Sequence, residues 1–421
     1  MSKLIIIKIL GYISTLALMS LTAKVLTISD FAYLNLFLQW LVPLTIIQTL
    51  GLPLVSNIYV GGGEMSVNQY LLISKKILQK ILIISIPVFI VTAVNLFGIS
   101  LDLIVPYLIL LLANIVLYFQ SQLLQARKLF FESFLVSNYG QRGVLLSTLS
   151  CLMIGIFYFL EIQFNISNIL LIIFFSILIT IFYAHNILQK SYSPSYENIS
   201  ITEKQLANEG LKISLNSIFH NLTFPLIFLI GISYLSENTV AKYQTNLKLI
   251  FLMLHFYQGI LMNVLIPDIY RLFSENKKLL LSKIKKIMFS TFMLGSLIIL
   301  LFYFYHKPFI VIMFSEKFLI ENNELINLSL ILLTGIIFDC GFSLLTYCKF
   351  NREALLIRLL GFILGALVAS YTYFNLNFNF SINLLLVIFY VLPNTFAFLF
   401  WLKIVKKSFI PMAFFWSFIC T

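Results

Sequence analysis

Residues 190–212 of the chain read KSYSPSYENISITEKQLANEGLK and form a polar run between long apolar blocks. The run lies close to the middle of the 421 residues. On both sides, apolar blocks of roughly twenty residues follow one another, the length an α-helix needs to cross about 30 Å of hydrocarbon. The sequence therefore predicts two comparable sets of membrane-spanning helices joined by a polar linker.

The composition excludes a soluble protein. Hydrophobic residues make up 60% of the chain and charged residues 10%, with a mean hydropathy of +0.99. A soluble domain is about 45–50% apolar and about 25% charged. The net charge of +12 is therefore interpreted as membrane topology and not as a nucleic-acid-binding surface. The first apolar run continues to about residue 26 without a cleavage site, which predicts a retained first helix.

The apolar blocks predict six spans before the linker and six after it. They cover residues 4–26, 31–60, 77–97, 103–124, 134–160 and 166–188, then 211–234, 241–266, 287–305, 325–347, 355–374 and 382–401. With the N-terminus in the cytoplasm, 23 of the 28 Lys and Arg residues lie on the cytoplasmic side, as the positive-inside rule requires. The predicted fold class is an all-α integral membrane protein with twelve transmembrane helices in two pseudo-symmetric six-helix bundles and both termini cytoplasmic.

The predicted domain boundaries follow from this count. They are 1–189 for an N-terminal lobe, 190–212 for a cytoplasmic linker, 213–403 for a C-terminal lobe and 404–421 for a cytoplasmic or interfacial tail. The linker is expected to include a surface amphipathic helix around residues 202–211. Its role would be to tether the lobes while they move.

Short motifs recur in the same order in both halves. SDFAYLNLF (29–37) follows the first span, and ENTVAKYQTNLKL (237–249) follows the seventh at an offset of about 210. LLQARKLFFES (123–133) and LLTYCKFNREA (344–354) follow the fourth and tenth spans. Because six is even, both copies enter the membrane from the same side. This predicts a parallel repeat with its pseudo-twofold axis along the membrane normal.

Polar residues recur on single faces of the second, seventh and eighth predicted spans. Polar groups in hydrocarbon usually face a bundle interior or a watery cavity, so these faces predict a substrate-binding surface. The predicted substrate-binding residues are Asn35 and Gln39 in the second span, Asn216 and His220 in the seventh, and Gln244, Lys248, His255 and Gln258 in the eighth.

Lys248 and three further residues each have two interpretations. Lys248 is either a cation that attracts an anionic substrate such as a diphosphate or a lysine that snorkels to the outer headgroups. Lys24, nearer the boundary, has the same two interpretations. Asp339, a carboxylate well inside a span, would bind a coupling proton or sodium ion, or be neutralised by a neighbouring helix. Pro225 is a hinge or a tolerated packing kink.

No cofactor or metal is expected. The four histidines match no metal spacing, and the four cysteines form no C-x-x-C. Neither a Walker motif nor a nucleotide-binding domain is present, so ATP hydrolysis is not predicted. A membrane enzyme, such as a polysaccharide polymerase or a glycosyltransferase, would carry a large outer loop. The longest outer loop, about residues 306–324, is too small for one, and the chain is predicted not to be an enzyme.

Three of these stretches resemble one family. Residues 24–37 (KVLTISDFAYLNLF), 240–249 (VAKYQTNLKL) and 123–133 are similar to the polysaccharide flippases of the MOP exporter superfamily, in particular the O-antigen (Wzx-type) flippases. The family favours Gly where this chain has Ala32. The family pattern of Tyr followed by a basic residue matches Tyr243 and Lys248.

The resemblance implies a function in polysaccharide biosynthesis. The substrate would be an undecaprenyl-diphosphate-linked oligosaccharide, an O-antigen or capsule repeat unit. It would move from the cytoplasmic to the periplasmic leaflet of the bacterial inner membrane by alternating access, driven by an ion gradient. The implied partners are this lipid-linked oligosaccharide, membrane lipids, a polysaccharide polymerase and a chain-length regulator, with no nucleic acid.

Two alternatives within the superfamily stay open. The first is a multidrug/cation antiporter of the same architecture, whose cavity would favour acidic residues. The second is a peptidoglycan-precursor flippase, which usually has two further helices.

Overall fold

The structure of the protein is a computed structural model that describes residues 2–61, 65–97, 101–137, 143–190, 201–347, 350–374 and 382–406. All regular secondary structure within these ranges is helical. The elements are α1 (Ser2–Val25), α2 (Ile28–Thr49), α3 (Leu52–Tyr59), α4 (Val67–Phe97), α5 (Leu101–Ala126), α6 (Phe130–Leu135), α7 (Val144–Phe159), α8 (Ile166–Lys190), α9 (Glu203–Tyr234), α10 (Glu237–Glu275), α11 (Lys277–Met313), a 3₁₀ turn (Glu316–Phe318), α12 (Asn322–Tyr347), α13 (Asn351–Phe374), α14 (Ile382–Leu386), a π-helical turn (Val387–Val391) and α15 (Leu392–Lys406). The all-α prediction is confirmed for the described residues.

Seven helical segments of the described chain are long and apolar enough to cross a membrane. They are Ile6–Val25, Ile28–Thr49, Asp102–Ala126, Ile166–Lys190, Lys277–Met313, Asn322–Phe342 and Ile382–Val405. An eighth candidate is the bent pair Glu203–Leu215 and Ser217–Ile232, whose parts meet at 43°. The chain is a multi-pass membrane protein. The total of twelve spans with cytoplasmic termini stays a prediction, and tail residues 407–421 lie outside the described residues.

The second predicted span, residues 31–60, is wrong as a single helix. Leu50 and Gly51 have φ angles of +46° and +65°, so the chain leaves the helical conformation between α2 and α3. Glycine adopts this left-handed region at little cost, and Pro53 suits the first turn of the helix that follows. The signal was present in the sequence as Leu-Gly-Leu-Pro, but the apolar character of the run concealed it.

Gly51 also permits a close backbone approach to α9. A Cβ atom on Gly51 would lie 2.7 Å from the carbonyl oxygen of Gly210. A Cβ atom on Gly210 would lie 2.4 Å from the carbonyl oxygen of Leu50. Only glycine fits at both positions without movement of the backbone, so the break between α2 and α3 is also a packing site for α9.

Substitution of Gly51 by Ala is expected to destabilise the protein. The left-handed conformation alone costs a side chain about 1–2 kcal/mol, and the approach to Gly210 adds to this. The measurement is the thermal unfolding midpoint of the purified protein in detergent. Gly155→Ala is the matched control, because a Cβ atom there meets nothing within 4 Å and its helical position favours Ala by up to about 1 kcal/mol. Equal midpoints for the two variants would contradict the prediction.

The end of the polar stretch forms the first part of α9. Residues 202–211 do begin a helix, and a capping box at Thr202 starts it. Leu206 in this first part is fully buried in an apolar cluster with Leu52 and Ile115. Thr202, Lys204 and Asn208 are exposed, so the segment has one exposed polar face and one face in a hydrophobic core, although it is the first part of the longer α9 and not a separate helix. Residues 191–200 lie outside the described residues.

The chain divides into two compact units. One contains Met1–Ala241 and Ile310–Phe318, which we call unit 1. The other, unit 2, contains Lys242–Phe309 and Leu319–Thr421. The helices α10 and α11 therefore each contribute to both units. The predicted lobes, 1–189 and 213–403, stay a prediction.

Glycines allow the helices of unit 2 to pack closely. A Cβ atom on Gly335 of α12 would lie 2.3 Å from the ring of Tyr390, and one on Gly365 of α13 would lie 2.2 Å from the ring of Phe389. Small residues at such positions let membrane helices approach each other. Both rings belong to the π-helical turn, a feature that is frequent at functional sites.

Candidate functional site

The first turns of α10 carry a run of buried polar side chains. Gln244, Thr245 and Asn246 each have 0% of their surface exposed. Both amide atoms of Gln244, Oε1 and Nε2, lack a hydrogen-bond partner among the described residues. Leaving a buried polar group unpaired costs about 1–3 kcal/mol. The sequence singled out Gln244, and in the described part of the structure its buried amide is left without a hydrogen-bond partner. Its predicted role in substrate binding stays a prediction.

Neighbouring helices fix the rotation of α10. The Tyr243 hydroxyl donates to Oε1 of Glu324 at 3.0 Å. Nδ2 of Asn246 donates to the carbonyl of Lys242, so its Oδ1 is the acceptor for Nε2 of His306 at 2.7 Å. Tyr243 and Asn246 therefore face α12 and α11 respectively.

Gln244 and Lys248 share a different face of α10, because they are four residues apart. Lys248 is half-buried. His255 and Gln258 were predicted on the same face, but their side chains lie outside the described part of the structure. The described portion of this face thus combines one ammonium group with one unpartnered amide.

The two residues of the second predicted polar pair, on α2, differ in their hydrogen bonding. Nδ2 of Asn35 donates to the carbonyl of Phe31 at 2.9 Å, so this buried amide is bound within its own helix. Oε1 of Gln39 is buried and has no hydrogen-bond partner among the described residues. Gln39 therefore resembles Gln244 in having a buried amide oxygen without a hydrogen-bond partner among the described residues, whereas the Asn35 amide is bound to Phe31.

On α9 the predicted residues occupy different environments. The backbone of Asn216 lies at the 43° bend, while its side chain is outside the described set. His220 is exposed at the surface of the protein. Pro225 is buried within the straight part of α9, so the bend lies well before the proline. The hinge role of Pro225 stays a prediction.

Lys24 is exposed in the last turn of α1. A cation in this position interacts favourably with the negative end of the helix dipole. An exposed lysine at a helix end is also the arrangement that snorkelling requires. Its predicted role in substrate binding stays a prediction.

Asp339 has a charged neighbour that the sequence analysis missed. Arg358 of α13 is 8% exposed and interacts electrostatically with Asp339 of α12. The guanidinium carbon of Arg358 lies 3.9 Å from the centroid of the Phe342 ring. Arg358 is one of the 23 Lys and Arg residues assigned to the cytoplasmic side, although it falls inside the predicted span 355–374. Of the two interpretations of Asp339, neutralisation by a neighbouring helix now has a named partner.

No protein-family model and no curated protein matches the chain. Several solved structures are similar to it. The outward-facing conformation of a multidrug resistance MATE family transporter of the MOP superfamily matches with a TM-score of 0.61 at 15% identity, over 96% of this chain and 95% of that one. The inward-facing conformation of such a transporter gives 0.61 at 16% identity, over 97% and 95%. The Vibrio cholerae MATE transporter VcmN in its bent form gives 0.55 at 17% identity, over 96% and 94%.

These similarities extend over nearly the whole chain and establish its fold as that of the MATE transporters. The fold-class prediction is confirmed at this level. Identities of 15–17% support the fold and leave the substrate open. The outward-facing and inward-facing structures match equally well by TM-score.

Proposed function

We propose that the chain is a secondary transporter of the bacterial inner membrane that works by alternating access. One observation carries the proposal: in a MATE-like fold, the fully buried amide of Gln244 has no partner among the described residues and shares a helical face with Lys248. Unpaired buried polar groups are rare because they destabilise the fold. A polar substrate that binds them in transit would offset that cost.

The first candidate substrate is an undecaprenyl-diphosphate-linked oligosaccharide, flipped from the cytoplasmic to the periplasmic leaflet. Lys248 would attract the diphosphate, and the amides of Gln244 and Gln39 would bind sugar hydroxyl groups. The polyprenyl tail would stay in lipid. The half-buried Lys248 on this face and the electrostatic interaction of Asp339 with Arg358 both favour an anionic substrate over a cationic one.

The second candidate is a multidrug/cation antiporter. The comparisons support it more directly than the first, because the matched proteins include multidrug resistance transporters. Binding a cationic drug requires a carboxylate that is ionised and accessible. Asp339 is the residue to test for this role, although its interaction with Arg358 weighs against it.

Complementation with two readouts distinguishes the candidates. The chain is expressed in a strain that lacks its own repeat-unit flippase and, separately, in a strain that lacks its drug exporters. A flippase is expected to restore surface polysaccharide and to leave drug resistance unchanged. The reverse result would establish the antiporter, and failure of both at normal protein abundance would reject the proposed function.

Substitution of Gln244 by Leu is expected to raise stability and lower transport together. Removing two unpaired buried polar atoms should stabilise the fold by about 1–3 kcal/mol, while the substrate loses its contacts. Thermal unfolding in detergent and transport in cells measure the two effects. Asn35→Leu is the control for stability, because the Asn35 amide is already bound to Phe31 and its loss should not stabilise. A Gln244→Leu protein that is less stable than the wild type would contradict the prediction.

A further inference from the structure

The first turns of α11 carry a basic surface that the proposed transport site does not use. Residues 277–286 read KKLLLSKIKK and contain five lysines, whereas α11 as a whole contains no acidic residue. Three of these lysines are exposed and make no hydrogen bond or ion pair within the described part of the chain: Lys278, Lys285 and Lys286. We call these three residues the lysine face.

Packing on the opposite side of α11 fixes the direction in which the lysine face points. Leu280 and Ile284 are 0% and 2% exposed and belong to a hydrophobic cluster that includes Trp401. With 3.6 residues per turn, the three lysines lie on the side of the helix away from Leu280 and Ile284. The lysine face is therefore directed away from the protein and towards its surroundings.

Helix formation does not explain this arrangement of charge. The backbone N–H of Leu279 donates to Oδ1 of Asn276 at 3.0 Å, so the start of α11 already has its own cap. Positive charges in the first turns oppose the helix dipole, and closely spaced like charges repel each other. The lysine face is therefore unfavourable for the isolated helix, and anions bound beside it would offset this repulsion.

The same side of α11 changes from lysine to apolar side chains within about one turn. Phe289 follows Lys285 by four residues and therefore continues its face. The apolar side chains along this line are more than half exposed: Phe289, Met293, Leu300 and Phe304. We call these four residues the apolar strip. No described part of the protein covers most of its surface.

The order of lysine face and apolar strip matches the two parts of a phospholipid. The predicted ninth span, residues 287–305, is about 28 Å long at 1.5 Å per residue, close to the thickness of the hydrocarbon core. The lysine face then lies at the level of the headgroups and the apolar strip at the level of the acyl chains. The positive-inside rule accounts for basic residues beside a span, but not for their alignment with one exposed apolar line.

We propose that the lysine face and the apolar strip form a binding site for an anionic phospholipid such as phosphatidylglycerol. The ammonium groups attract the headgroup phosphate, and the acyl chain packs along the apolar strip. Clusters of basic residues next to a membrane span are typical of sites for anionic lipids. A zwitterionic lipid carries its own cationic group beside the phosphate and is bound less strongly. The site does not depend on the proposed transport function.

Quenching of a fluorophore by brominated lipids tests the site. The fluorophore is attached to Phe289→Cys in a protein whose four native cysteines are replaced, and the protein is reconstituted in phosphatidylcholine bilayers. Equal small fractions of brominated phosphatidylglycerol or brominated phosphatidylcholine are then added. We expect position 289 to prefer phosphatidylglycerol by about tenfold or more at low salt, because each basic residue near the headgroups adds to the attraction. Equal quenching by the two lipids would overturn the site.

Two sets of lysine substitutions locate the preference. Lys→Gln at all three positions of the lysine face is expected to abolish it, and the exposure of these side chains should leave folding intact. The control set, Lys80→Gln with Lys204→Gln and Lys212→Gln, removes the same charge. Lys80 and Lys212 already have glutamate partners at 2.7 and 2.8 Å, so the control protein should keep the preference. Equal losses in the two proteins would show a general effect of charge and overturn the site.

Competition distinguishes a phospholipid from other occupants of the same surface. Farnesyl diphosphate carries a diphosphate on an isoprenoid chain, as a polyprenyl-linked substrate does. At a phospholipid site it should displace brominated phosphatidylglycerol no better than unbrominated phosphatidylglycerol does. Displacement at tenfold lower amounts would assign the surface to a polyprenyl diphosphate and overturn the proposal. Absence of quenching by either brominated lipid would show that protein, such as a second copy of the chain, covers the apolar strip, and would also overturn it.

Discussion

Replacement of Lys248 by Ala is expected to lower transport by about 30-fold or more, while the amount of protein in the membrane stays at the wild-type level. Removing one partner of a desolvated charge pair costs about 2–5 kcal/mol, and each 1.4 kcal/mol is a factor of ten. Lys248 is half-buried on the face that carries the unpartnered amide of Gln244, so a bound diphosphate would be partly desolvated there. Surface polysaccharide in the complemented strain, normalised to protein abundance, measures the effect.

Two further variants test whether the loss of transport is specific to the charge at Lys248. Lys248→Arg keeps the positive charge and is expected to retain a substantial part of the activity, although its planar guanidinium binds phosphate in a different geometry. Lys242→Ala removes a half-buried lysine side chain from the same helix, and the Lys242 backbone carbonyl that accepts from Nδ2 of Asn246 stays in place. Its transport is expected to stay close to the wild type. Equal losses in the Lys242→Ala and Lys248→Ala proteins would show a general effect of charge, and full activity of Lys248→Ala would reject the site.

Hydropathy and charge were sufficient to predict the helical fold, because lipid forces apolar runs into helices whose backbone groups are all paired. They were insufficient wherever the backbone changes direction inside an apolar run. The break at Leu50 and Gly51 is one example, since both flanking helices are apolar and only backbone conformation separates them. The reverse error occurs at Pro308, where the structure has no helix end. The ninth predicted span ended just before this proline, but α11 continues through it to Met313.

The substrate-binding role of the site stays a prediction, but the position of two of its residues on one helix could be predicted from their spacing. The spacing of Gln244 and Lys248 placed them on one face, and the structure agrees. The sequence did not predict interactions between side chains on different helices, because a single sequence contains no information about such pairs. His306 was assigned to the start of an outer loop, yet it is 2% exposed and bonded to Asn246. Arg358 was assigned to the cytoplasmic side, yet it is 8% exposed and interacts electrostatically with Asp339.

Substitution of Arg358 by Met is expected to destabilise the protein more than any other single change considered. Arg358 is buried and Asp339 is half-buried, so the loss of their electrostatic interaction is expected to cost less than breaking a fully buried ion pair, which costs about 3–5 kcal/mol. Arg358 also loses its contact with the Phe342 ring, 3.9 Å away. The unfolding midpoint in detergent should fall clearly for Arg358→Met, and also for Asp339→Asn, which leaves the guanidinium without the carboxylate.

The double variant Asp339→Asn with Arg358→Met should recover most of the loss, since replacing both partners of a buried pair is often neutral. Additive losses in the double variant would contradict a pair.

The same three proteins decide whether Asp339 couples transport to an ion. If its only role is to neutralise Arg358, the double variant should be stable and should transport at close to the wild-type rate with the wild-type dependence on the ion gradient. If Asp339 also binds the coupling ion, the double variant should be stable yet lose gradient-driven transport, because restoring the charge balance does not restore a carboxylate. The two results differ in transport at equal stability, which separates the coupling role from the structural one. The electrostatic interaction with Arg358 leads us to expect the first result, so that the coupling ion, if one is used, binds elsewhere.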